Sequence, residues 1–388
     1  MVGLKRSALK RTSVVAVGIG SAMAASLALA RCGSAAAGPL SDLESLSRDV
    51  VQGLTSSQLS EEHRAGRRKR LTSFMAARTN RKELERQSLI GTYEPPGRDY
   101  WARVERSERA LGVDFHLLHV FVGWTPRRAG KFPTEHVEAI WDAGSLPVIT
   151  WEPWTDAFES NVQVPRERPL QRIAQGQYDA YIDAFAREAA RFAQPFFLRF
   201  AHEMNDAYRY PWGPQYGNQP EHYQRAFRHV RARFEAQGAR NAIWVWAPSV
   251  SYSNINEYYP GKDWVDWVAT GVLNYGSTMR WSAWWSVQEL LGPRYETLAA
   301  FGHPLMIAEF GTVREGGSAA AWYRDATTSL ETSFSDVRAI VLFHDSQDAT
   351  LEHRVVDFSA TSEAGVNGAA SETLRRFSAR GVRSDDTR

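Results

Sequence analysis

The chain has 388 residues, 43% of them hydrophobic and 12% aromatic, enough to bury a full core within one large domain. Its 46 basic and 44 acidic residues leave a formal charge of +2, which excludes a general pull toward nucleic acid or membrane and suits an uncharged substrate. The single cysteine, Cys32, excludes an intramolecular disulfide, and no cysteine-based zinc site or thiol catalysis is credible in the folded body.

Lys5, Arg6, Lys10 and Arg11 precede a small-residue apolar run from Ser13 to Ala30 and an alanine-rich stretch. That is the pattern of a secretory signal, so residues 1–38 are read as a signal peptide, or as an N-terminal anchor if uncleaved. Ala28-Leu29-Ala30 and Ala35-Ala36-Ala37 both offer a cleavage site. Leu29-Ala30-Arg31-Cys32 is faintly similar to a lipoprotein acylation box, with Arg31 against it. An exported protein is expected, periplasmic or extracellular, with membrane contact only through this leader or a lipid anchor.

Residues 39–86 are polar, with loosely spaced leucines and a basic cluster at Arg64, Arg67, Arg68, Lys69 and Arg70. They are read as a linker with one or two solvated helices; contact with an anionic surface is the alternative for the cluster.

From residue 87 to 380 short apolar runs alternate with amphipathic segments. The runs are Leu89–Glu94, Phe115–Val122, Leu146–Trp151, Phe196–Glu203, Ala242–Pro248, Val268–Tyr275, Leu305–Phe310 and Ala339–His344. Between them, Tyr178, Tyr181, Ile182 and Phe185 share one helical face, as do Tyr223, Phe227, Val230 and Phe234, and Gly238 then supplies a stop. Eight buried strands alternating with helices predict an α/β fold, a single (β/α)8 TIM barrel whose chemistry sits at the carboxyl ends of its strands. Residues 381–388 are read as a frayed tail, and a monomer is expected.

Charge is costly inside an apolar strand, so Glu203 and Glu309, each at the end of such a run, are expected to face a site. Strands four and seven lie across the mouth from each other. Two carboxyl groups about 5 to 5.5 Å apart suit a retaining glycosidase, in which one attacks and the other donates a proton. Arg199, nominally on the same strand face as Glu203, would lower the pKa of whichever carboxylate it contacts, or form a buried ion pair within the barrel. His202, Asn205 and Tyr275 can donate hydrogen bonds to a carboxylate or a sugar hydroxyl, although His202 and Tyr275 also have structural readings.

Fourteen tryptophans exceed ordinary packing needs. Trp281, Trp284 and Trp285, in a polar loop, and Trp151 and Trp154, in Trp151-Glu152-Pro153-Trp154, are candidate sugar platforms, with Trp124 a further one. Glu152 reads as a sugar-hydroxyl acceptor rather than a catalyst. His116, His119 and His344 have no metal-ligand spacing, and no metal or organic cofactor is implied.

Arg199-Phe200-Ala201-His202-Glu203-Met204-Asn205, followed by Tyr210-Pro211-Trp212-Gly213, resembles the acid/base motif of glycoside hydrolase family 26. Further segments are similar to the same family: Ile243-Trp244-Val245-Trp246-Ala247-Pro248, Tyr258-Tyr259-Pro260-Gly261 with Asp266-Trp267-Val268, and Ile307-Ala308-Glu309-Phe310-Gly311. The resemblance runs from about Leu89 to Phe377. It implies a retaining endo-β-glycanase, most often a β-1,4-mannanase, with β-1,3-1,4-glucan and β-1,3-xylan as other substrates. It also implies Glu203 as acid/base and Glu309 as nucleophile, His202 and Asn205 flanking the acid, Tyr275 steadying the nucleophile, and Trp212 and Trp246 as aromatic walls. The turn Asp206-Ala207-Tyr208-Arg209-Tyr210-Pro211-Trp212-Gly213 departs from the glycine- and tryptophan-rich turn of mannanases and contains a charged Arg209.

The expected partner is thus a β-linked polysaccharide or oligosaccharide. A non-catalytic polysaccharide-binding barrel is the alternative of another class, and a transglycosylase would share the first half-reaction.

Overall fold

The computed structural model describes residues 60–158, 168–351 and 354–380. The leader, Cys32, and the tail from residue 381 lie outside them, as does the first part of the expected linker. Among the described residues no helix is long and apolar enough to cross a membrane.

Eight parallel strands close into a barrel in chain order: β1 Leu89–Tyr93, β2 Leu117–Gly123, β3 Leu146–Glu152, β4 Phe196–Phe200, β5 Ala242–Trp246, β6 Trp267–Asn274, β7 Leu305–Thr312 and β8 Val337–Phe343. β8 closes on β1 with Leu89 opposite Ala339 and Tyr93 opposite Phe343. The expected (β/α)8 barrel is thus the observed fold.

The helices form because their apolar residues recur with helical period and find the outer faces of the strands. Before β1 lie α1 Glu61–Arg70, α2 Thr72–Ala77 and α3 Arg81–Arg86, and α4 Tyr100–Leu111 and α5 Thr134–Asp142 follow β1 and β2. After β3 come α6 Pro169–Ala174 and α7 Asp179–Phe192, and α8 Pro220–Ala236 follows β4. α9 Val287–Ala299, α10 Ala319–Thr332 and α11 Ala364–Ser378 complete the ring. α7 buries Ile182, Phe185 and Phe192, and α8 buries Tyr223, Phe227, Val230 and Phe234. Gly238, at φ 79°, turns the chain after α8, as the stop signal predicts.

The first three helices correct the expected linker. Leu71, Phe74 and Leu84 belong to the same apolar cluster as the barrel-lining Leu117, Val148, Phe197, Val245 and Met306, so they plug the amino-terminal end of the barrel. Arg67 is fully buried: its Nε donates to Glu108 at 2.8 Å, and its other nitrogens donate to the carbonyls of Ala143 and Phe115, each at 2.6 Å. Arg78 lies over the Trp141 ring and donates to two floor carbonyls. The basic cluster is therefore not one solvated face, and from Ser60 onward this segment is part of the domain.

A short hairpin, β9 Asp348–Leu351 with β10 Arg354–Val356, lies in the connection from β8 to α11 and carries no sequence signal of its own among the eight runs.

Candidate active site

The carboxyl end of the barrel is where the apolar interior gives way to polar side chains, and two departures from regular backbone aim the glutamates there. β4 ends at Phe200, so Glu203 is not on a strand and strand alternation does not set its direction. Ala201 and Glu203 instead take left-handed φ values of 47° and 51°, uncommon for residues with a Cβ. Glu203 N donates to Ala247 O at 2.7 Å, fixing this turn against the chain after β5. In β7 an extra residue lies between Ile307 and Phe310 relative to β8, and a register shift faces Thr270 and Gly271 of β6. Simple alternation from the inward Met306 would send Glu309 outward. The bulge turns it inward, a known use of an inserted residue beside a site.

Both glutamates border Gly271. A Cβ at that position would lie 3.8 Å from Glu203 Oε1 and 3.9 Å from Glu309 Cβ, so the absent side chain keeps the space beside both open.

Their electrostatics differ. Arg199 is buried and donates from Nη2 to Glu309 Oε1 at 2.6 Å and from Nε to Thr150 Oγ1 at 2.7 Å, and Thr150 is in turn 2.7 Å from His119 Nε2. Both readings offered for Arg199, a buried ion pair and a depressant of carboxylate pKa, describe this one contact. Burial raises the pKa of Glu309, and Arg199 opposes the rise by charge and hydrogen bond. Burial raises Glu203 further, to well above the ordinary carboxylate range, with Arg209 the main opposing charge and Glu309 reinforcing the rise. Arg209 Nη1 is 3.7 Å from Glu203 Oε2, too far for a hydrogen bond. One carboxyl group thus tends to stay protonated while the other is held toward ionisation, the division that acid catalysis beside a nucleophile needs.

Glu152, at the end of β3, is a third buried carboxyl group. Burial lifts its pKa to about 7, against a hydrogen bond from Trp154 Nε1 of 3.1 Å to Oε2. His202 is fully buried, which drives its pKa well below the usual value. It is therefore neutral, and its 4.0 Å approach to Glu152 is not an ion pair. Its Nε2 lies 3.1 Å from the Tyr210 hydroxyl.

Several expected binding residues are placed elsewhere. Trp151 faces the helices, stacked 4.2 Å from Phe185, and Trp124 packs beside it; neither borders the mouth. Trp246 likewise points outward, between Tyr259 and Phe301 at 5.1 and 5.0 Å. The reason is alternation: Thr150 and Glu152 point inward, so Trp151 between them cannot. Trp212 is buried, donates to His202 O at 2.7 Å and stacks on Tyr210, supporting the wall from behind. Asn205 exchanges two hydrogen bonds with the backbone of Ser249, 2.9 and 2.8 Å, and so ties the turns after β4 and β5 together.

Other candidates remain at the mouth. Trp154 is half-buried against Trp212 and Tyr210. Tyr275, just past β6, is buried with Trp281 5.5 Å away and Phe358 5.1 Å away. Trp281, Trp284 and Trp285 are all partly buried against the core, with Trp284 lying on Gly317. The three histidines are dispersed: His116 accepts from Ile90 N near the floor, His119 meets Thr150, and His344 meets Glu94 at 2.8 Å. Among the described residues no group of three side chains could hold a metal.

Thr150, and the placement of Arg209 against Glu203, were missed at the sequence level. Thr150 could have been found by counting back two from Glu152 along β3.

Residues 163–300 match the model of Glycosyl hydrolase family 26. The chain is 32% identical over 265 residues to endoglucanase H of Acetivibrio thermocellus, covering 64% of this chain and 28% of that protein. It is 35% identical over 113 residues to β-1,3-xylanase TXYA of a Vibrio species, covering 28% and 23%. The chain thus spans about a quarter of the length of these curated relatives. Among solved structures it is similar to a β-mannanase from Bacteroides ovatus, at 14% identity and a TM-score of 0.57, over 80% of this chain and 95% of that one. At that identity the likeness is one of fold.

Proposed function

We infer that the chain is a member of glycosyl hydrolase family 26, on the match of residues 163–300 and the likeness to endoglucanase H, and we propose that it is a retaining, endo-acting glycoside hydrolase of a β-linked polysaccharide. The observation that supports this reading is the pair Glu203 and Glu309, both buried beside Gly271 at the carboxyl end of the barrel, the second held by Arg199.

In the first step the Glu309 carboxylate bonds to the anomeric carbon as the glycosidic bond breaks, and Glu203 gives its proton to the departing oxygen. In the second, Glu203, now ionised, takes a proton from water whose oxygen attacks the same carbon and releases Glu309. Arg199 favours the charged form of the nucleophile against the effect of burial, and the burial of Glu203 favours the loaded donor.

β-1,4-Mannan is the first backbone proposed, on the motif resemblance. β-1,3-1,4-Glucan is the second reading: the turn after Glu203 departs from the mannanase pattern, and the chain is similar to endoglucanase H over 265 residues. A barrel that only binds polysaccharide would need no division of protonation between the two glutamates. Export, to the periplasm or beyond, is part of the same proposal and rests on the leader pattern.

The test is product analysis with β-mannan, mixed-linkage β-glucan, β-1,3-xylan and cellulose, using the purified protein beside a Glu203→Ala/Glu309→Ala variant. Oligosaccharides released from one polymer by the parent alone, with the anomeric configuration retained, are expected. Binding without any release would sink the hydrolase reading in favour of the binding barrel.

A further inference from the structure

We propose that Thr150 is a positioning residue for the reaction: its hydroxyl, backed by His119, holds one nitrogen of Arg199 so that the guanidinium takes a single oxygen of Glu309 and leaves the other clear of it for attack. The inference rests on the reading of Glu309 as nucleophile and adds to it two buried residues that act from behind.

The residues come from neighbouring strands. His119, Thr150 and Arg199 lie on β2, β3 and β4, and Thr150 stands directly opposite Arg199 in the β3–β4 register. Val148 and Phe197, two residues earlier on their strands, line the barrel, so by alternation Thr150 and Arg199 also face inward. His119 and Thr150 are wholly buried, and Arg199 and Glu309 nearly so. A polar group that loses its partner in such a setting is costly.

Chemistry sets the direction of each hydrogen bond. An arginine has no acceptor, so Nε donates to Thr150 Oγ1 at 2.7 Å. Among the described residues the proton of that hydroxyl then reaches one acceptor, His119 Nε2 at 2.7 Å. Burial drives the pKa of His119 well below the usual value, and Arg199 adds to the fall, so the ring is neutral and has an unprotonated nitrogen to offer. The chain from Arg199 through Thr150 to His119 therefore runs one way, and the hydroxyl cannot turn aside without breaking both bonds.

What this chain controls is the fork. Nε and Nη2 form one edge of the guanidinium, and such an edge commonly grips both oxygens of a carboxylate. Here Nη2 donates to Glu309 Oε1 at 2.6 Å while Nε is spent on Thr150. Oε2 accepts nothing from the guanidinium, and its electron pairs stay available for the anomeric carbon. A valine at position 150 would leave Nε buried without its acceptor, and a second bond to Glu309 is the remedy the fork offers.

The test is a carbon NMR titration of the full chain labelled at its glutamate carboxyl groups, the Glu309 resonance being assigned by its loss in Glu309→Gln. Thr150→Val and Thr150→Cys, which keep the size without a strong acceptor, are compared with Thr150→Ser and the parent. A carboxylate that gains a hydrogen bond holds its charge to lower pH, so Glu309 is expected to titrate lower in the first two variants and as in the parent in Thr150→Ser. The other groups facing Glu309 are Glu203, Arg209 and Tyr210 from the turn after β4, Glu152 from β3 and Tyr93 from β1, and all are unaltered in these variants. On whichever of β-mannan, mixed-linkage β-glucan, β-1,3-xylan and cellulose the parent cleaves, kcat should fall about tenfold in Thr150→Val and Thr150→Cys with KM little changed. The acid limb of the rate should move to lower pH in both, and Thr150→Ser should restore rate and limb together. A Glu309 titration that rises, as a loosened Arg199 would give, or that does not move, would overturn the inference, and so would full activity in Thr150→Val. Absence of sugar release by the parent sinks the enzyme reading, while the titration still decides what Thr150 does to the grip of Arg199.

Discussion

Arg199 and Glu309 form a 2.6 Å ion pair across the barrel, from β4 to β7, with both side chains almost wholly buried. Neither strand is a neighbour of the other, so the pair spans the interior and joins two walls.

Breaking that pair is expected to cost both stability and chemistry. Arg199→Met leaves Glu309 without its buried partner in a dry setting, for a loss of about 3 to 5 kcal/mol. kcat should fall by at least about a hundredfold, because the nucleophile shifts toward its protonated form. A compensated variant, Arg199→Met/Glu309→Leu, should regain most of the stability on urea denaturation and none of the activity. Restored activity in that double variant would remove Glu309 from the mechanism.

Glu152 should make the fold sensitive to pH. Its folded pKa, about 7, lies above the ordinary 4.5, so the protonated form is favoured in the native state. Its contribution is complete below about pH 4.5 and is lost as pH rises through 7, a difference of about 3 kcal/mol at most. Glu152→Gln keeps an acceptor for Trp154 and has no charge to desolvate. The variant should therefore gain on the parent between pH 5 and pH 8 in urea midpoints. A gap independent of pH would mean that Glu152 is ionised throughout.

Gly271 should be replaceable for folding and not for turnover. A methyl there meets Glu203 and Glu309 only at ordinary contact distance, so Gly271→Ala is expected to melt close to the parent. Yet it crowds both glutamates, against Glu203 Oε1 and Glu309 Cβ, and kcat/KM should fall about tenfold or more, since displacement of reacting groups by an ångström is costly. Unaltered kinetics would mean that the reacting sugar does not pass over this position.

The floor should be indispensable. A chain beginning at Leu89 would expose the lower end of the barrel, where Leu71, Phe74 and Leu84 now pack, and would leave Glu108 without Arg67. It is expected to be insoluble or to lack a cooperative melt, and Arg67→Met alone should cost about 3 to 5 kcal/mol. A soluble truncated barrel with a sharp transition would return α1–α3 to the status of a linker.

The barrel was legible because a parallel sheet buried on both faces writes each strand as an apolar run, and each run here overlaps a strand. Glu203 and Glu309 stood out for the same reason, as charges at the ends of such runs. Their directions were not legible. Glu309 faces inward through a bulge, and Glu203 through two left-handed residues, neither of which has a glycine to announce it. Trp151 and Trp246 misled because aromatic content was weighed without strand alternation, and alternation from Glu152 would have turned Trp151 toward the helices. Arg67 was hidden among four basic neighbours, since burial of one member depends on helix phase and on a distant Glu108.

The floor has a bearing on reach. Ser60, where the described chain enters the domain, caps α1, and α1 packs at the end of the barrel opposite the glutamates. If the preceding 59 residues hold the protein to a surface, they grip it from behind. The mouth then points away from that surface, toward a polymer arriving from the far side, and the length of the tether would set how deep into that polymer it can cut.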